Sequence, residues 1–158
     1  MNQFSLCYPL PLDQVTQRFA LNANASYSED GLKGHTAWDW AGTYGAPLYS
    51  CSEGYVYSVL NRNNPDPERY RAVYVLFDTG EVVYEISYGH LNEIFAKVGD
   101  KVTPGDVLGT IGNTGAVYAG GRKVTKQERL NGSKAGTHLH GPQVRACKKT
   151  KQTLAAKT

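Results

Sequence analysis

The clearest alternation of apolar and polar positions begins at residue 46. In "APLYSCSEGYVYSVL" the two kinds trade places on both sides of Glu53-Gly54, which predicts a hairpin over residues 46–60. "NRNNPDPERY" then breaks the pattern with polar residues and two prolines, and is predicted as a loop. "YRAVYVLF" and "VVYEISYGHL" are β-branched and aromatic throughout, with the turn "DTGE" between them, and predict a second hairpin. In "NEIFAKVGDKVTPGDVLGTIGNTG" short apolar pairs are separated by Gly-Asp and Pro-Gly turns. Residues 116–134, "AVYAGGRKVTKQERLNGSK", read as a long basic loop with one helical turn, and "THLHGPQVRAC" as a closing strand. The first forty residues show no helical period and the chain shows no internal repeat. The prediction is a mainly β domain over 1–147, a twisted antiparallel sheet forming a narrow groove, with a basic tail over 148–158.

Composition narrows the class without naming a chemistry. At 158 residues the chain is long enough for one core, and 41% hydrophobic residues with 20% charged exclude wholesale disorder. Seventeen glycines and eleven tyrosines suit strands joined by tight turns. No run reaches the roughly 20 apolar residues of a membrane span. The opening "MNQFSLCYPLPLDQ" lacks a basic n-region and an apolar h-region, so no signal peptide is expected. Cys7, Cys51 and Cys147 are too far apart for a thiolate metal site and are expected to be buried, inert thiols, with a single bridge among them left open.

Charge is unevenly placed. Residues 1–120 carry 7 Lys/Arg against 13 Asp/Glu, whereas 121–158 carry 10 against Glu128 alone. A basic end can dock on polyanions or remain a solvated face. The stretch bearing Arg122, Lys123, Lys126, Arg129 and Lys134 runs into the histidine-bearing strand, so it is expected to matter for substrate encounter and little for stability.

The four histidines carry the chemistry. His35 opens "HTAWDW" with Asp39 four residues on, His90 ends a predicted strand, and His138 and His140 stand two apart. Side chains two or four apart in an extended segment point to one face. Two imidazoles and one carboxylate around an open position are a zinc donor set with room for water. Each piece alone has an ordinary structural explanation. In combination they leave no histidine unused.

"HTAWDW", "YGHL" and "HLH", in that order, resemble the motifs of the lysostaphin-type (LytM-type) zinc endopeptidases, which cut peptide cross-bridges of bacterial cell wall. "GAPLYSCSEGYVY" and "KVGDKVTPGDVLGTIGNTG" are similar to that family's connecting text, and the likeness runs from about residue 14 to 146. It implies a LytM-like catalytic domain in which His35, Asp39 and His140 hold Zn2+, while His90 and His138 act as the catalytic pair. It also nominates Tyr27 as an extra oxyanion donor. The implied partner is bacterial peptidoglycan, met by a monomer unless the chain belongs to a virion; no nucleic-acid partner is expected. With no signal or wall-targeting module in view, the expected route is phage-mediated release or a virion, or a piece of a larger secreted protein. The same lack favours D-alanyl–diaminopimelate links over glycine bridges.

Two departures from the family stand out. Gly141 and Pro142 follow "HLH" where the family continues with an aromatic and a glutamate. Proline cannot donate to a ladder, so this strand must lie at an edge, bulge or end there. The loop from Gly115 to Gly136 is also longer than the family's usual connection and is expected to wall the groove. The main rival is a metal-free relative serving as a wall-binding or virion module. A biotinyl or lipoyl carrier domain would leave every histidine unexplained, and a nucleic-acid binder would rest on the basic end alone.

Overall fold

The structure, a computed structural model, describes residues 5–10, 14–18 and 34–147. Its strands are β1 (Val15–Gln17), β2 (Asp39–Ala41), β3 (Pro47–Tyr49), β4 (Gly54–Leu60), β5 (Ala72–Asp78), β6 (Val83–Gly89), β7 (Leu91–Ile94), β8 (Lys101–Val102), β9 (Val107–Ile111), β10 (Tyr118–Ala119), β11 (Arg122–Lys123) and β12 (His138–Cys147). Among the described residues one short helix, α1 (Lys126–Leu130), interrupts them. A seven-stranded sheet runs β1-β2-β12-β6-β5-β4-β8, a three-stranded sheet β3-β9-β7, and β10-β11 form a small separate hairpin. Every strand pair is antiparallel. The mainly β, antiparallel prediction holds.

The core lies where the two larger sheets meet. Trp40 of β2, Val56 of β4, Val73 and Val75 of β5, Ile86 and Tyr88 of β6 and Leu139 of β12 bury one face. Leu48, Leu91, Leu108 and Ile111 of the smaller sheet close on the same cluster. Alternation does the sorting, because the neighbours of a core residue in a strand point the other way. Trp40 and Leu139, both buried, are opposite each other in register. Asp39 and His140 are therefore sent to the far face, also opposite each other.

The second predicted hairpin is correct, with β5 and β6 in register from Val73↔Tyr88 to Asp78↔Val83. The first is not. β3 pairs with β9 and β4 with β5, so residues 46–60 cross between sheets instead of folding back. The crossing is fixed at Ser50, whose N–H donates to Asp106 O at 2.8 Å while its carbonyl accepts from Gly105 at 3.0 Å. Alternation reports which face of a strand is buried and carries no information about its partner. Residues 116–134 hold more order than a loop, since they contain β10, β11 and α1.

β12 is interior to its sheet. It pairs with β2 through His138–His140 and with β6 onward, with a register shift between His140 and Gln143. Pro142 falls inside that bulge, as one of the three sequence alternatives required. Gly141 stands at φ 126°, and a Cβ there would lie 2.4 Å from the Ser87 carbonyl, so only glycine can turn this corner.

All three cysteines are free, but only Cys51 is buried. Its thiol packs 3.0 Å from the Tyr88 hydroxyl, and burial pushes it up to about 11. Cys7 is exposed outside the sheets, and Cys147, the last residue of β12, is half-buried. The expectation of three buried thiols is thus corrected to one. The tail at 148–158 lies outside the described residues. Among the described residues no helix is long and apolar enough to cross a membrane.

Candidate active site

β12 brings the candidate residues together. Its register sets His140 opposite Asp39 on one side and opposite Gly89 on the other, so His90 follows directly. His138 and His140 share a face, with Leu139 turned into the core between them. His35 reaches the same place from the loop entering β2. All five predicted residues converge. The ring centroids of His90 and His138 stand 4.4 Å apart, those of His35 and His140 4.9 Å, and those of His90 and His140 5.6 Å.

Asp39 is the hub. His35 Nε2 lies 3.1 Å from its Oδ2, His140 Nδ1 2.9 Å from its Oδ1, and His138 Nε2 3.7 Å from Oδ2. Burial by itself raises the Asp39 carboxyl. The hydrogen bonds from His140 and His35, with the charges of His138 and His140, outweigh it and hold the group well below the usual carboxylate range. The carboxylate is ionised at any working pH.

Two trios of donors have ligand atoms within 4.8 Å of one another: His35, Asp39 and His140, and His90, His138 and His140. The first combines two imidazole nitrogens with a carboxylate oxygen. Ligands at roughly 2.0–2.2 Å around one tetrahedral ion stand about 3.3–3.6 Å apart, close to the 2.9 and 3.1 Å separations here. Thr36 Oγ1 sits 3.3 Å from His140 Nε2, so with an ion bound it could accept the proton there, freeing Nδ1 from its hydrogen bond to Asp39 to serve as a ligand. These residues fit a zinc ion.

The other two histidines are held from behind by carbonyls. His90 Nδ1 donates to Thr114 O at 2.6 Å, and His138 Nδ1 to Gly136 O at 2.8 Å. With Nδ1 carrying the proton, each ring turns a lone pair on Nε2 toward the site. Burial, then repulsion from His138, pulls His90 down to about 3 against the Thr114 carbonyl. Burial likewise lowers His138, opposed by Asp39 and the Gly136 carbonyl. Both rings are neutral proton acceptors near pH 7.

His90 takes a left-handed backbone, φ 60°, costly for a side chain of this size. That single residue turns the chain from β6 in one sheet to β7 in the other. Tyr70 packs edge-on against it, with centroids 5.0 Å apart. A Cβ on Gly89 would lie 1.7 Å from the Tyr70 hydroxyl, which explains a glycine in "YGHL" without appeal to φ.

The sequence did not reveal Thr36, Tyr70, Thr114 or Arg129, all of which touch this constellation or its supports. Two act partly through backbone carbonyls, which leave no trace in side-chain type, and Tyr70 hides in a polar loop. Tyr27 lies outside the described residues. The basic stretch also differs from expectation. Arg122 pairs with Glu128 at 2.5 Å, Lys126 with Asp66 at 3.0 Å and Lys123 with Glu68 at 3.5 Å, while Lys134 lies over the Tyr44 ring. The Arg129 side chain is 2% exposed and bonded to Glu68. Most of this charge is paired within the molecule, but the Arg122, Lys123 and Lys126 side chains are half or more exposed, where such pairs add little to stability; of these cations only Arg129 is buried.

Comparison with known proteins agrees with the geometry. The chain is 39% identical over 83 residues to the peptidoglycan DD-endopeptidase ShyA of Vibrio cholerae, a match covering 52% of this chain and 18% of that protein. A zinc-containing peptidase from Vibrio cholerae superposes with a TM-score of 0.56 at 25% identity, over 88% of this chain and 35% of the other. LytU superposes with the same TM-score at 23% identity, over 89% and 78%. The chain therefore spans only a fraction of the length of these Vibrio proteins. The profile of Peptidase family M23 matches residues 33–141, a span that contains all five converging side chains, and the chain belongs to that family.

Proposed function

We propose that this chain is a zinc-dependent endopeptidase that hydrolyses peptide cross-links of bacterial peptidoglycan. The observation that carries the reading is the Asp39 carboxylate with His35 Nε2 and His140 Nδ1 on it, flanked by two neutral imidazoles fixed through Nδ1. His35, Asp39 and His140 are the ligands. Bound there, zinc acts as a Lewis acid that polarises a carbonyl and makes a water acidic near neutral pH.

His138 and His90 do the proton work. Each presents an unprotonated Nε2, so either can accept a proton from an attacking water and return it to the leaving amine. His138 stands nearer the carboxylate and is less buried than His90, which suits exchange with substrate and solvent. His90 is buried, and once protonated it would place a positive charge beside a developing oxyanion. The likeness to a peptidoglycan DD-endopeptidase favours D,D-type cross-links, among which we propose D-alanyl–diaminopimelate, over glycine bridges.

Purified sacculi of both cross-link types, incubated with the zinc-loaded protein, give the test. Released peptides identified by mass spectrometry should show the D-alanyl–diaminopimelate bond cut. His138→Ala and His90→Ala should bind one zinc per chain and lose turnover, whereas Asp39→Ala should lose both. A protein that binds zinc yet releases no peptide from either wall would refute the proposal and favour a wall-binding module.

A further inference from the structure

Arg129 has no part in the reaction just described, yet among the described residues it is the cation with the most hydrogen-bond partners. Its side chain is 2% exposed although it belongs to a short helix in a glycine-rich insertion. Nη1 lies 2.9 Å from Asn113 O, 2.6 Å from Gly115 O and 3.0 Å from Pro67 O. Nη2 donates to the Glu68 carboxylate. A buried guanidinium loses hydration that only several well-placed acceptors repay, so this arrangement is specific.

Two of those acceptors bracket Thr114. Its own carbonyl, the one between them in the chain, accepts the His90 Nδ1 proton at 2.6 Å. The Thr114 hydroxyl donates to Leu91 O at 2.9 Å and accepts from the Arg71 amide, fixing the peptide's third direction. The main chain at 113–115 is thus gripped on both sides of the single atom that sets the His90 tautomer. Pinning the Asn113 and Gly115 carbonyls leaves the Thr114 carbonyl little freedom to rotate.

The insertion is built to deliver this side chain. Thr125 and Glu128 form a reciprocal cap on α1, and Arg122 clamps the same Glu128 through two bonds. Asn113 Nδ2 ties back to Ser133 O and Ala135 O, so the segment's exit is anchored to the strand-end it serves. Loop 61–70 contributes Pro67 and Glu68 from the other side. A solvated loop would need none of these connections.

We infer that Arg129 is a positioning residue. Through the Asn113 and Gly115 carbonyls it fixes the Thr114 carbonyl and thereby holds His90 as the Nδ1–H tautomer with its Nε2 lone pair on the site. The inference rests on the proposed role of His90 for its effect on turnover. Its structural half, the hold on the imidazole, stands apart from any activity.

Nitrogen-15 spectra of histidine-labelled, zinc-free protein read that hold directly, and steady-state hydrolysis of a soluble cross-link peptide by the zinc-loaded protein reads its consequence. In the parent, His90 should give one Nδ1–H signature. Arg129→Met should mix the two tautomers. It should also lower kcat by about 10- to 100-fold, the scale of a misplacement near 1 Å, while KM changes less than threefold and zinc stays at one per chain. Arg129→Lys should restore part of both, since an ammonium can reach some but not all of the carbonyls. If Arg129→Met does not fold, Glu68→Ala, which loosens the guanidinium and leaves it in place, should produce the same two changes about three- to tenfold in kcat. Folded variants whose His90 spectrum and kcat match the parent overturn the inference. A lower melting temperature with an unchanged His90 signature also overturns it, because that is what a structural arginine gives. If the spectrum changes but His90→Ala still hydrolyses the peptide, the positioning stands and the role proposed for His90 falls.

Discussion

A methyl group added at Gly89 should disturb the site from outside it, and the amount can be worked out. In Gly89→Ala the new Cβ would lie 1.7 Å from Tyr70 Oη and 2.3 Å from Cζ. Ordinary contact begins near 3.4 Å, so the hydroxyl must retreat by about 1.7 Å. Its ring is hemmed by the His90 imidazole at 5.0 Å between centroids, and by Gly115, where even an added Cβ would lie 3.0 Å from Tyr70 Cδ2. Overpacking of this kind costs roughly 1–3 kcal/mol, offset by about 0.5–1 kcal/mol for replacing a flexible glycine in a strand. The net loss of about 1–2 kcal/mol should appear as a melting temperature several degrees lower. A displaced His90 should cost about 10- to 100-fold in kcat. The decisive measurement is a double-mutant cycle with Tyr70→Ala, by thermal melts and peptide hydrolysis. Once the ring is gone the same methyl meets open space, and Gly89→Ala should become neutral or slightly stabilising. An equal penalty in both backgrounds would refute the argument, since the cost would then arise from the backbone and not from Tyr70.

Leu139→Ala removes a fully buried side chain between the two β12 histidines and should cost about 2–5 kcal/mol in denaturant unfolding. Thr36→Val keeps shape but cannot accept from His140 Nε2, so zinc affinity should fall by about tenfold in competition with a chromophoric chelator. Glu128 is held down to about 2 by Arg122 and by the Thr125 cap. Its contribution is therefore present above the ordinary carboxylate range and lost as pH falls from about 4.5 toward 2. The difference in melting temperature between parent and Glu128→Gln should be constant at neutral pH and shrink across that window.

What could be read from the sequence depended on whether a side chain or a partner was being asked about. Periodicity found the second hairpin and put His138 and His140 on one face, because a strand's faces follow from its own residues. It misplaced residues 46–60, because β3 finds its partner in β9, some sixty residues away, and nothing local to either strand encodes that choice. Motif order and the resemblance it supported named all five converging residues, the four histidines and Asp39. Spacing alone would have left His90 an ordinary strand residue. Charge counts do not see pairing, so the partners of the basic stretch were not legible. Asp66 and Glu68 lie in a loop about sixty residues earlier, and only the fold sets them against Lys126 and Arg129.

Four of the site's five residues are held by two different devices, and this separates what can vary from what cannot. Asp39 and His140 are opposed across a ladder, with Trp40 and Leu139 locking the register beneath them. A one-residue slip would turn both to the core, so this half of the site cannot be retuned without losing the fold. His90 and His138 instead take their orientation from the carbonyls of Thr114 and Gly136, which border the insertion at its two ends. Loops accept change in length where strands do not. An insertion between residues 114 and 136 can thus alter how two imidazoles are presented while the Asp39–His140 register stays as the sheet made it. The Asp39–His140 register and the presentation of His90 and His138 are thus set by separate parts of the chain.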